Sequence, residues 1–248
     1  MNLGLTGRTA IVCGASSGLG LACAEALAEE GANVVMFARR RELLEREADR
    51  VGGLAVAGDV REAADLERAV GTAVEKFGGI DILVPNSGGP PPARAVEIDA
   101  DRAQEAVDLL LLPVVRLVTL ALPHLLKSDQ GRVVLISSLA VREPSPHLAL
   151  TNAVRPGVVG YMKSLANELG PNGITVNSVG PGRLATPRMT EIYGPDGPPA
   201  EDLEKIPARR LGDPRELGDL VAFLCSSRAS YVSGTHIPVD GGAYRGLL

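Results

Sequence analysis

The chain has 248 residues, of which 45% are hydrophobic and only 3% are aromatic, and it contains no tryptophan. These values suit one α/β domain with an aliphatic core, and the net charge of −5 argues against nucleic acid or an anionic membrane as the main partner. Cys13, Cys23 and Cys225 lie far apart and follow no metal-binding spacing. We therefore expect no metal site, no secretory signal and a cytoplasmic protein with reduced cysteines.

Short apolar runs typical of strands alternate with helical patterns along the chain. The predicted strands are Thr9–Cys13, Asn33–Phe37, Leu54–Ala57, Ile80–Val84, Arg132–Ile136, Ile174–Val179 and His236–Val239. The predicted helices are Leu19–Glu30, Arg40–Val51, Glu62–Phe77, Asp101–Leu126, Pro156–Leu169 and Pro214–Ser226. This alternation predicts a single α/β domain over residues 1–248, a doubly wound Rossmann-type fold whose parallel sheet of about seven strands carries helices on both faces. Such a sheet binds ligands beyond the carboxyl ends of its strands.

Prolines affect two of the predicted helices. The most apolar segment, 106–126, is interrupted by charged residues and prolines, so we expect a buried helix that bends at Pro113 rather than a membrane span. Pro156 lacks an N–H group and favours an extended conformation at Arg155. We therefore expect the next helix to begin at about Pro156, which would leave Thr151 and Arg155 on a loop.

Two stretches rich in proline and glycine fall where loops should follow strands. They are "GGPPPAR" at 88–94 and "YGPDGPP" at 193–199. Loops at strand ends carry binding residues in this class of fold. The first stretch is a candidate wall of the site, and the second belongs to a predicted substrate lid over 187–209.

Three glycines follow the first predicted strand, at Gly14, Gly18 and Gly20. Glycines at this point allow a tight turn and a close approach of the backbone to a pyrophosphate, which the following helix N-terminus attracts. A strand–helix turn can also carry glycines for packing alone. The position of this turn, directly after the first strand and before an amphipathic helix, favours dinucleotide binding.

The second predicted strand is followed by Arg39, Arg40 and Arg41, where a carboxylate would favour NAD. Guanidinium groups at this point suit the 2′-phosphate of NADP(H). The alternative is a solvated helix start, although cations there oppose the helix dipole. The pattern therefore favours NADP(H) over NAD(H).

Several motifs in order along the whole chain resemble the short-chain dehydrogenase/reductase family. They are "GASSGLG" (14–20), "GDV" (58–60), "LVPNSGG" (83–89), "RVVLISS" (132–138), "NGITVNSVGPGRLATPRM" (172–189) and the C-terminal segment 211–242. Among the branches of this family, the chain is most similar to the β-ketoacyl carrier-protein reductases. The resemblance implies a nicotinamide dinucleotide cofactor. The cofactor-binding residues it implies, together with the arginines above, are Gly14, Ser16, Ser17, Gly18, Leu19, Gly20, Arg39, Arg40, Asp59, Val60, Asn86, Gly88, Arg155, Pro181, Gly182 and Thr186.

The same resemblance places the family's catalytic serine at Ser138. The family's proton-donating tyrosine, thirteen residues later, falls on Thr151, and its lysine falls on Arg155. The family's catalytic asparagine falls on Leu110. An aliphatic hydroxyl ionises far above the pKa of a tyrosine, and an arginine stays charged and cannot relay a proton. Arg155 retains the ability to hydrogen-bond the nicotinamide ribose, so the resemblance implies an atypical centre.

Three other side chains could supply the missing proton. His147 lies in the loop between Ser138 and Thr151 and has a suitable pKa, although a loop histidine can also be without a role. Tyr193 in the predicted lid could swing in when the lid closes. Tyr161 lies about 15 Å from Thr151 along a helix and is expected to pack in the core.

Three functions fit these observations to different degrees. The first is an NAD(P)(H)-dependent short-chain oxidoreductase for a small carbonyl or alcohol substrate, with a 3-oxoacyl thioester as one option. The second is a non-catalytic NADP(H)-binding sensor or partner subunit, and the third is a structural protein without nucleotide. The apolar run Leu109–Leu112 favours a homo-oligomer, either a dimer or a tetramer.

Overall fold

The computed structural model describes residues 2–247, within which it contains seven strands and nine α-helices. The strands are β1 Thr9–Cys13, β2 Asn33–Ala38, β3 Leu54–Ala57, β4 Ile82–Val84, β5 Arg132–Ile136, β6 Thr175–Pro181 and β7 His236–Val239. The helices are α1 Gly18–Glu29, α2 Arg41–Val51, α3 Ala63–Phe77, α4 Ala100–Leu110, α5 Leu112–Leu125, α6 Ala149–Leu169, α7 Pro187–Tyr193, α8 Ala200–Glu204 and α9 Pro214–Cys225. All strands pair in parallel in the order β3-β2-β1-β4-β5-β6-β7, which confirms the predicted doubly wound sheet.

Side chains alternate across the sheet and build one core on each face. On β1, Ile11 and Cys13 pack in the core formed with α3, α5 and α6, whereas Ala10 and Val12 pack in the core formed with α1, α2 and α9. Successive residues of a strand point to opposite faces, so a sheet covered on both sides needs apolar residues at every position. This requirement explains why β1, β2 and β4 are nearly continuous apolar runs.

The first helix of the chain packs against the last. Gly218 of α9 lies directly against the backbone of Ala22 in α1. At the outer end of this contact, the Arg215 guanidinium donates to both carboxylate oxygens of Glu29, at 2.7 and 2.6 Å. Residues far apart in sequence therefore hold α1 in place on the sheet.

The segment predicted as one bent helix over Asp101–Leu126 is divided into the two helices α4 and α5, next to the predicted bend at Pro113. On length and composition alone, the stretch Ala100–Leu125 would be sufficient to cross a membrane. Helix α4 ends at Leu110 and α5 begins at Leu112, and Pro113 at the start of α5 cannot donate to the carbonyl of Leu109. The inner face of α5, including Leu117 and Leu125, packs in the core against α3 and the sheet.

The predicted start of the helix at Pro156 is wrong. Helix α6 begins at Ala149 and includes Pro156 in its interior. An interior proline costs about 3 kcal/mol, but a buried stripe that includes Thr151, Arg155 and Val158 anchors this part of the helix to the sheet. The side chain of Asn152 adds two hydrogen bonds to the backbone of Ser145, at 3.1 and 2.9 Å. Tertiary packing therefore outweighs the local preference that proline imposes.

Candidate functional site

An open groove of about 700 Å³ runs along the carboxyl ends of the strands. Chain connections leave β1 and β4 in opposite directions, and the crevice that such a reversal creates is the usual ligand site of doubly wound sheets. All the predicted cofactor residues except Gly20 and Arg155 line this groove. The structure therefore brings together most of the residues that the motifs singled out.

The glycine turn forms the floor of the groove between β1 and α1. Gly14 has a φ of +65°, a conformation that glycine adopts without strain. A β-carbon on Gly20 would lie 2.4 Å from the carbonyl oxygen of Gly14. Gly20 therefore lies behind the turn and allows α1 to approach it, rather than facing the groove. Thr186 approaches Gly18 from the opposite wall, where β6 leads into α7.

Exposed guanidinium groups occupy one end of the groove. Arg40 donates through Nη2 to the hydroxyls of Ser16 and Ser17, at 3.2 and 2.6 Å. Arg39 lies beside it and is exposed. These donors and the amides of the glycine turn form a region suited to phosphate oxygens, because charged donors and a helix N-terminus both favour anions.

Asp59 is engaged in an ion pair that sequence reasoning missed. The Arg61 guanidinium contacts both carboxylate oxygens of Asp59, at 2.7 Å in its closest approach, and lowers the pKa of that carboxyl. The backbone N–H of Asp59 donates to Asp65 at 2.8 Å, which fixes the segment. The feature of the sequence that could have predicted this ion pair is the separation of two residues between Asp59 and Arg61. Arg61 also lines the groove, so it belongs to the candidate site.

Asn86 joins the ends of the two central strands. Its side-chain Nδ2 donates to the carbonyl of Cys13 at 3.3 Å, and Gly88 follows it on the wall of the groove. Ser138 follows β5, which lies between the β4 and β6 strand ends that border the groove. The Ser138 hydroxyl accepts a hydrogen bond from the N–H of Ala140 at 3.1 Å. The hydroxyl donates no hydrogen bond to another described residue, and Ser138 lies outside the lining of the groove.

Thr151 and Arg155 lie on the buried face of α6 and not on a loop. Thr151 is 6% exposed, and within residues 2–247 its hydroxyl has no hydrogen-bond partner. Arg155 is 8% exposed and donates once, from Nη1 to the carbonyl of Ile136 at 3.3 Å. Burial lowers the pKa of Arg155 to about 10, and no carboxylate of the described chain pairs with it.

A cavity of about 10 Å³, room for one water molecule, lies beside Arg155. Leu110, Pro113 and other apolar residues form most of its wall, with Asn86 and Ser87 on the side of the groove. Leu110, where the sequence resemblance places the family's catalytic asparagine, thus contributes an aliphatic side chain to this cavity. The arrangement offers a buried cation and a serine hydroxyl, but neither a phenol nor an amine.

Among the described residues, none of the three alternative proton donors forms a hydrogen bond with Ser138. His147 is exposed with a φ of +59°, and its carbonyl accepts from the N–H of Ala93 at 2.7 Å. Tyr193 donates its hydroxyl proton to Asp202 at 3.0 Å, and burial together with this carboxylate raises its pKa. Tyr161 packs against the core, as expected.

The sequence is similar to known oxidoreductases along nearly its whole length. The family model described as enoyl-(acyl carrier protein) reductase matches residues 14–244. The oxidoreductase UcpA of Salmonella typhimurium is 37% identical, with 96% of this chain and 95% of that protein covered. The 3-oxoacyl-(acyl-carrier-protein) reductase FabG of Vibrio cholerae is 35% identical, with 98% and 99% covered.

Solved structures agree with this similarity. L-sorbose reductase from Gluconobacter frateurii, complexed with NADPH and L-sorbose, matches with a TM-score of 0.92 at 30% identity over all of both chains. A 3-ketoacyl-(acyl-carrier-protein) reductase from Brucella melitensis, complexed with NADH, matches with a TM-score of 0.88 at 34% identity over 96% of this chain and 99% of that one. An NADPH-bound short-chain oxidoreductase from Pseudomonas aeruginosa, described as containing an atypical catalytic center, matches with a TM-score of 0.90 at 30% identity over 96% and 97%. This chain therefore belongs to the short-chain dehydrogenase/reductase family of oxidoreductases.

Proposed function

We propose that the protein is an NADP(H)-dependent reductase of a small carbonyl compound, or the corresponding alcohol dehydrogenase. The observation that carries this proposal is the open groove in which the glycine turn, Arg40 and Asn86 lie together. A bound nicotinamide would supply the hydride for the carbonyl carbon. Titration of purified protein with NADPH, followed by the fluorescence of the reduced nicotinamide, tests the first requirement of this function. Absence of binding would contradict it.

The preference for NADP(H) rests on the arginines after β2. Arg39 and Arg40 are exposed at the mouth of the groove, and no carboxylate takes the position that would bind a free ribose 2′-hydroxyl. Solved relatives are found with NADPH and with NADH, so the family alone does not decide between them. Parallel titrations with NADPH and NADH measure the preference directly, and equal dissociation constants would contradict it.

The catalytic step relies on fewer side chains than is usual in the family. Ser138 donates a hydrogen bond to the substrate oxygen, and water supplies the proton that the oxygen takes up after hydride addition. Loss of a general acid typically costs about 10²–10⁴-fold in rate and leaves hydride transfer possible. Slow turnover, measured as NADPH oxidation with a panel of ketones, 3-oxoacyl thioesters and quinones, is the expected result.

Arg155 holds the nicotinamide ribose in this proposal. Four of its five N–H groups have no hydrogen-bond partner in the described chain, and Arg155 lines the same small cavity as Asn86, which also lines the groove. A guanidinium buried without a carboxylate destabilises the fold unless it serves a ligand. Ribose hydroxyls are neutral acceptors that an arginine can bind without transferring a proton.

The segment 187–209 is proposed as the substrate lid. Asp202 in α8 accepts from Tyr193 in α7 at 3.0 Å and from Lys205 at 2.7 Å. The carbonyl of Asp202 accepts from Arg183 at 2.9 Å, one residue after the Pro181–Gly182 turn. Movement of the lid is thereby linked to the wall of the groove.

We further propose a cytoplasmic homo-oligomer, a dimer or tetramer, which sedimentation analysis would test.

A non-catalytic NADP(H)-binding sensor or partner subunit is the second candidate. The buried Thr151 and the aliphatic Leu110, at positions where the family carries catalytic groups, favour it. NADPH binding without oxidation of the cofactor by any member of the substrate panel would support this candidate over the first.

A further inference from the structure

His236, at the start of β7, is buried next to the serine segment. It is 8% exposed and stands opposite Ser178 in the register of β6 and β7. Its Nδ1 lies 2.9 Å from the hydroxyl oxygen of Ser178, whose alternative acceptor, the carbonyl of Thr235, is 3.4 Å away. The shorter contact assigns the Ser178 proton to Nδ1, so the ring proton lies on Nε2.

The other side of the ring lies between Ser138 and Gly180. A β-carbon on Gly180 would lie 2.6 Å from Nε2 of His236, so only glycine fits at this point of β6. The carbonyl oxygen of Ser138 lies 3.4 Å from the same position and faces the imidazole. Gly180 leads directly into the Pro181–Gly182 turn at the groove. The imidazole therefore lies beside both the serine and the strand that carries this turn.

A second contact joins the same two segments. Arg142, four residues after Ser138, donates from Nη2 to the backbone carbonyl of His236 at 2.9 Å. Its guanidinium also lies over the ring of Tyr244, 5.5 Å from the centroid. Residues 138–142 are thus attached to β7 through the backbone of His236, whose ring lies beside the Ser138 carbonyl.

The Nε2 atom of His236 has no hydrogen-bond partner of full geometry among the described residues. Buried polar atoms without partners are rare in native proteins and call for an explanation. Burial, followed by the positive charge of Arg142, lowers the pKa of His236 to about 4, so the ring is neutral near pH 7. A neutral N–H aimed at the Ser138 carbonyl can hold that carbonyl without adding charge to the site.

We propose that His236 is a positioning residue, whose Nε2–H holds the carbonyl of Ser138 and sets the distance between the Ser138 hydroxyl and the Pro181–Gly182 turn. This inference rests on the proposed function, because it assumes that the turn faces the nicotinamide. Hydrogen bonds at such sites are often long without ligands and tighten in the complex. Loss of the Nε2–H should therefore affect the catalytic step more than cofactor affinity.

Two substitutions of His236 distinguish the contribution of Nε2 from that of Nδ1. In His236→Gln the amide nitrogen reaches the position of Nε2, whereas in His236→Asn the shorter side chain reaches only that of Nδ1. We expect H236N to lower kcat about 10- to 100-fold and H236Q to stay within about threefold, because small misplacements of a reacting group have effects of this size. The matched control is His124→Gln, in the last turn of α5, which precedes β5 in the chain.

The measurements are the NADPH dissociation constant, the fluorescence lifetime of the bound nicotinamide and the rate of NADPH oxidation. A shorter lifetime and slower turnover in H236N, with both restored in H236Q and affinity retained in both, support the inference. Equal behaviour of H236N and H236Q, or a fall in melting temperature alone, overturns it and leaves the proposed function intact. Failure of the unaltered protein to bind NADPH overturns both.

The tautomer gives a check that does not depend on turnover. The chain has only three histidines, so the H236Q spectrum assigns the His236 ring in ¹⁵N NMR. We expect a protonated Nε2 and no titration of this ring between pH 5 and 8, and a shift of the Nε2–H signal when NADPH binds. A ring that titrates near its ordinary pKa, or an Nδ1–H tautomer, would overturn the inference.

Discussion

The two ends of the groove differ in how many of the family's characteristic residues they retain. At the adenosine end, the glycine turn and Arg40 occupy the positions that the motifs predict, and exposed donors face the groove. At the end that we propose for the nicotinamide, Leu110 and Thr151 stand where the sequence resemblance places the family's catalytic asparagine and tyrosine, and Arg155 is buried without a counterion among the described residues. In the proposed function, binding and proton transfer therefore depend on separate residues.

Restoring the missing groups at the nicotinamide end should have the largest effect. We expect the double substitution Thr151→Tyr and Arg155→Lys to raise NADPH oxidation roughly 100- to 1,000-fold, because a phenol beside an ammonium provides the general acid that Thr151 cannot. The control is Thr151→Phe with Arg155→Lys, which has the ring without the hydroxyl. Equal rates for the two variants would show that the frame no longer presents a carbonyl to residue 151.

Acid should destabilise the protein through His236. Burial lowers its pKa to about 4 from an ordinary value of 6.5, so between these pH values the unfolded chain binds a proton that the native protein does not. Stability should consequently fall by about 3 kcal/mol as the pH drops through this range. Urea unfolding at pH 7 and pH 4.5 measures the effect. The loss should be much smaller in H236Q, and an equal loss in both proteins would exclude His236 as its source.

The adenosine end is tested by Arg40. Charged hydrogen bonds contribute about 1.5–3 kcal/mol, so Arg40→Ala should weaken NADPH binding roughly 10- to 100-fold. Binding of NADH should change little, because it lacks the 2′-phosphate. The matched control is Arg41→Ala, since Arg41 is also exposed and pairs with Glu45 on α2. A similar loss for both cofactors would mean that Arg40 supports the turn rather than the phosphate.

Replacement of Arg155 should have the smallest effects, and it should change stability and NADPH binding in opposite directions. Replacing a buried charge by an apolar side chain of similar length is often stabilising, by about 1–4 kcal/mol. Arg155→Met should therefore raise the melting temperature while it weakens NADPH binding. Thermal unfolding with and without NADPH measures both effects. A destabilised R155M that binds NADPH normally would assign Arg155 to the fold alone.

The sheet was predictable because the central strands are buried on both faces and are therefore largely apolar. The start of α6 was not, because the rule for proline describes local geometry and ignores the contacts of Thr151 and Arg155 with the sheet. At Pro113 the local rule predicted the position of the irregularity, although the structure divides the segment into two helices there and the prediction was one bent helix.

Within the site, the residues that line the groove follow from motifs that lie at strand ends. The Asp59–Arg61 pair depends on rotamers, which spacing does not specify. The position of His236 beside Ser138 depends on the register between β6 and β7, residues far apart in the chain. Such contacts are set by the assembled sheet and by no local pattern.

The packing of α1 against α9 has a consequence for biosynthesis. The helix that follows the glycine turn rests on residues made only when the ribosome has reached positions 214–225. A nascent chain that has not reached this point exposes the apolar side of α1 and lacks the support for its phosphate-binding turn. The support of the glycine turn is thereby delayed until α9 has been made, so we expect chains that lack α9 to hold this turn poorly.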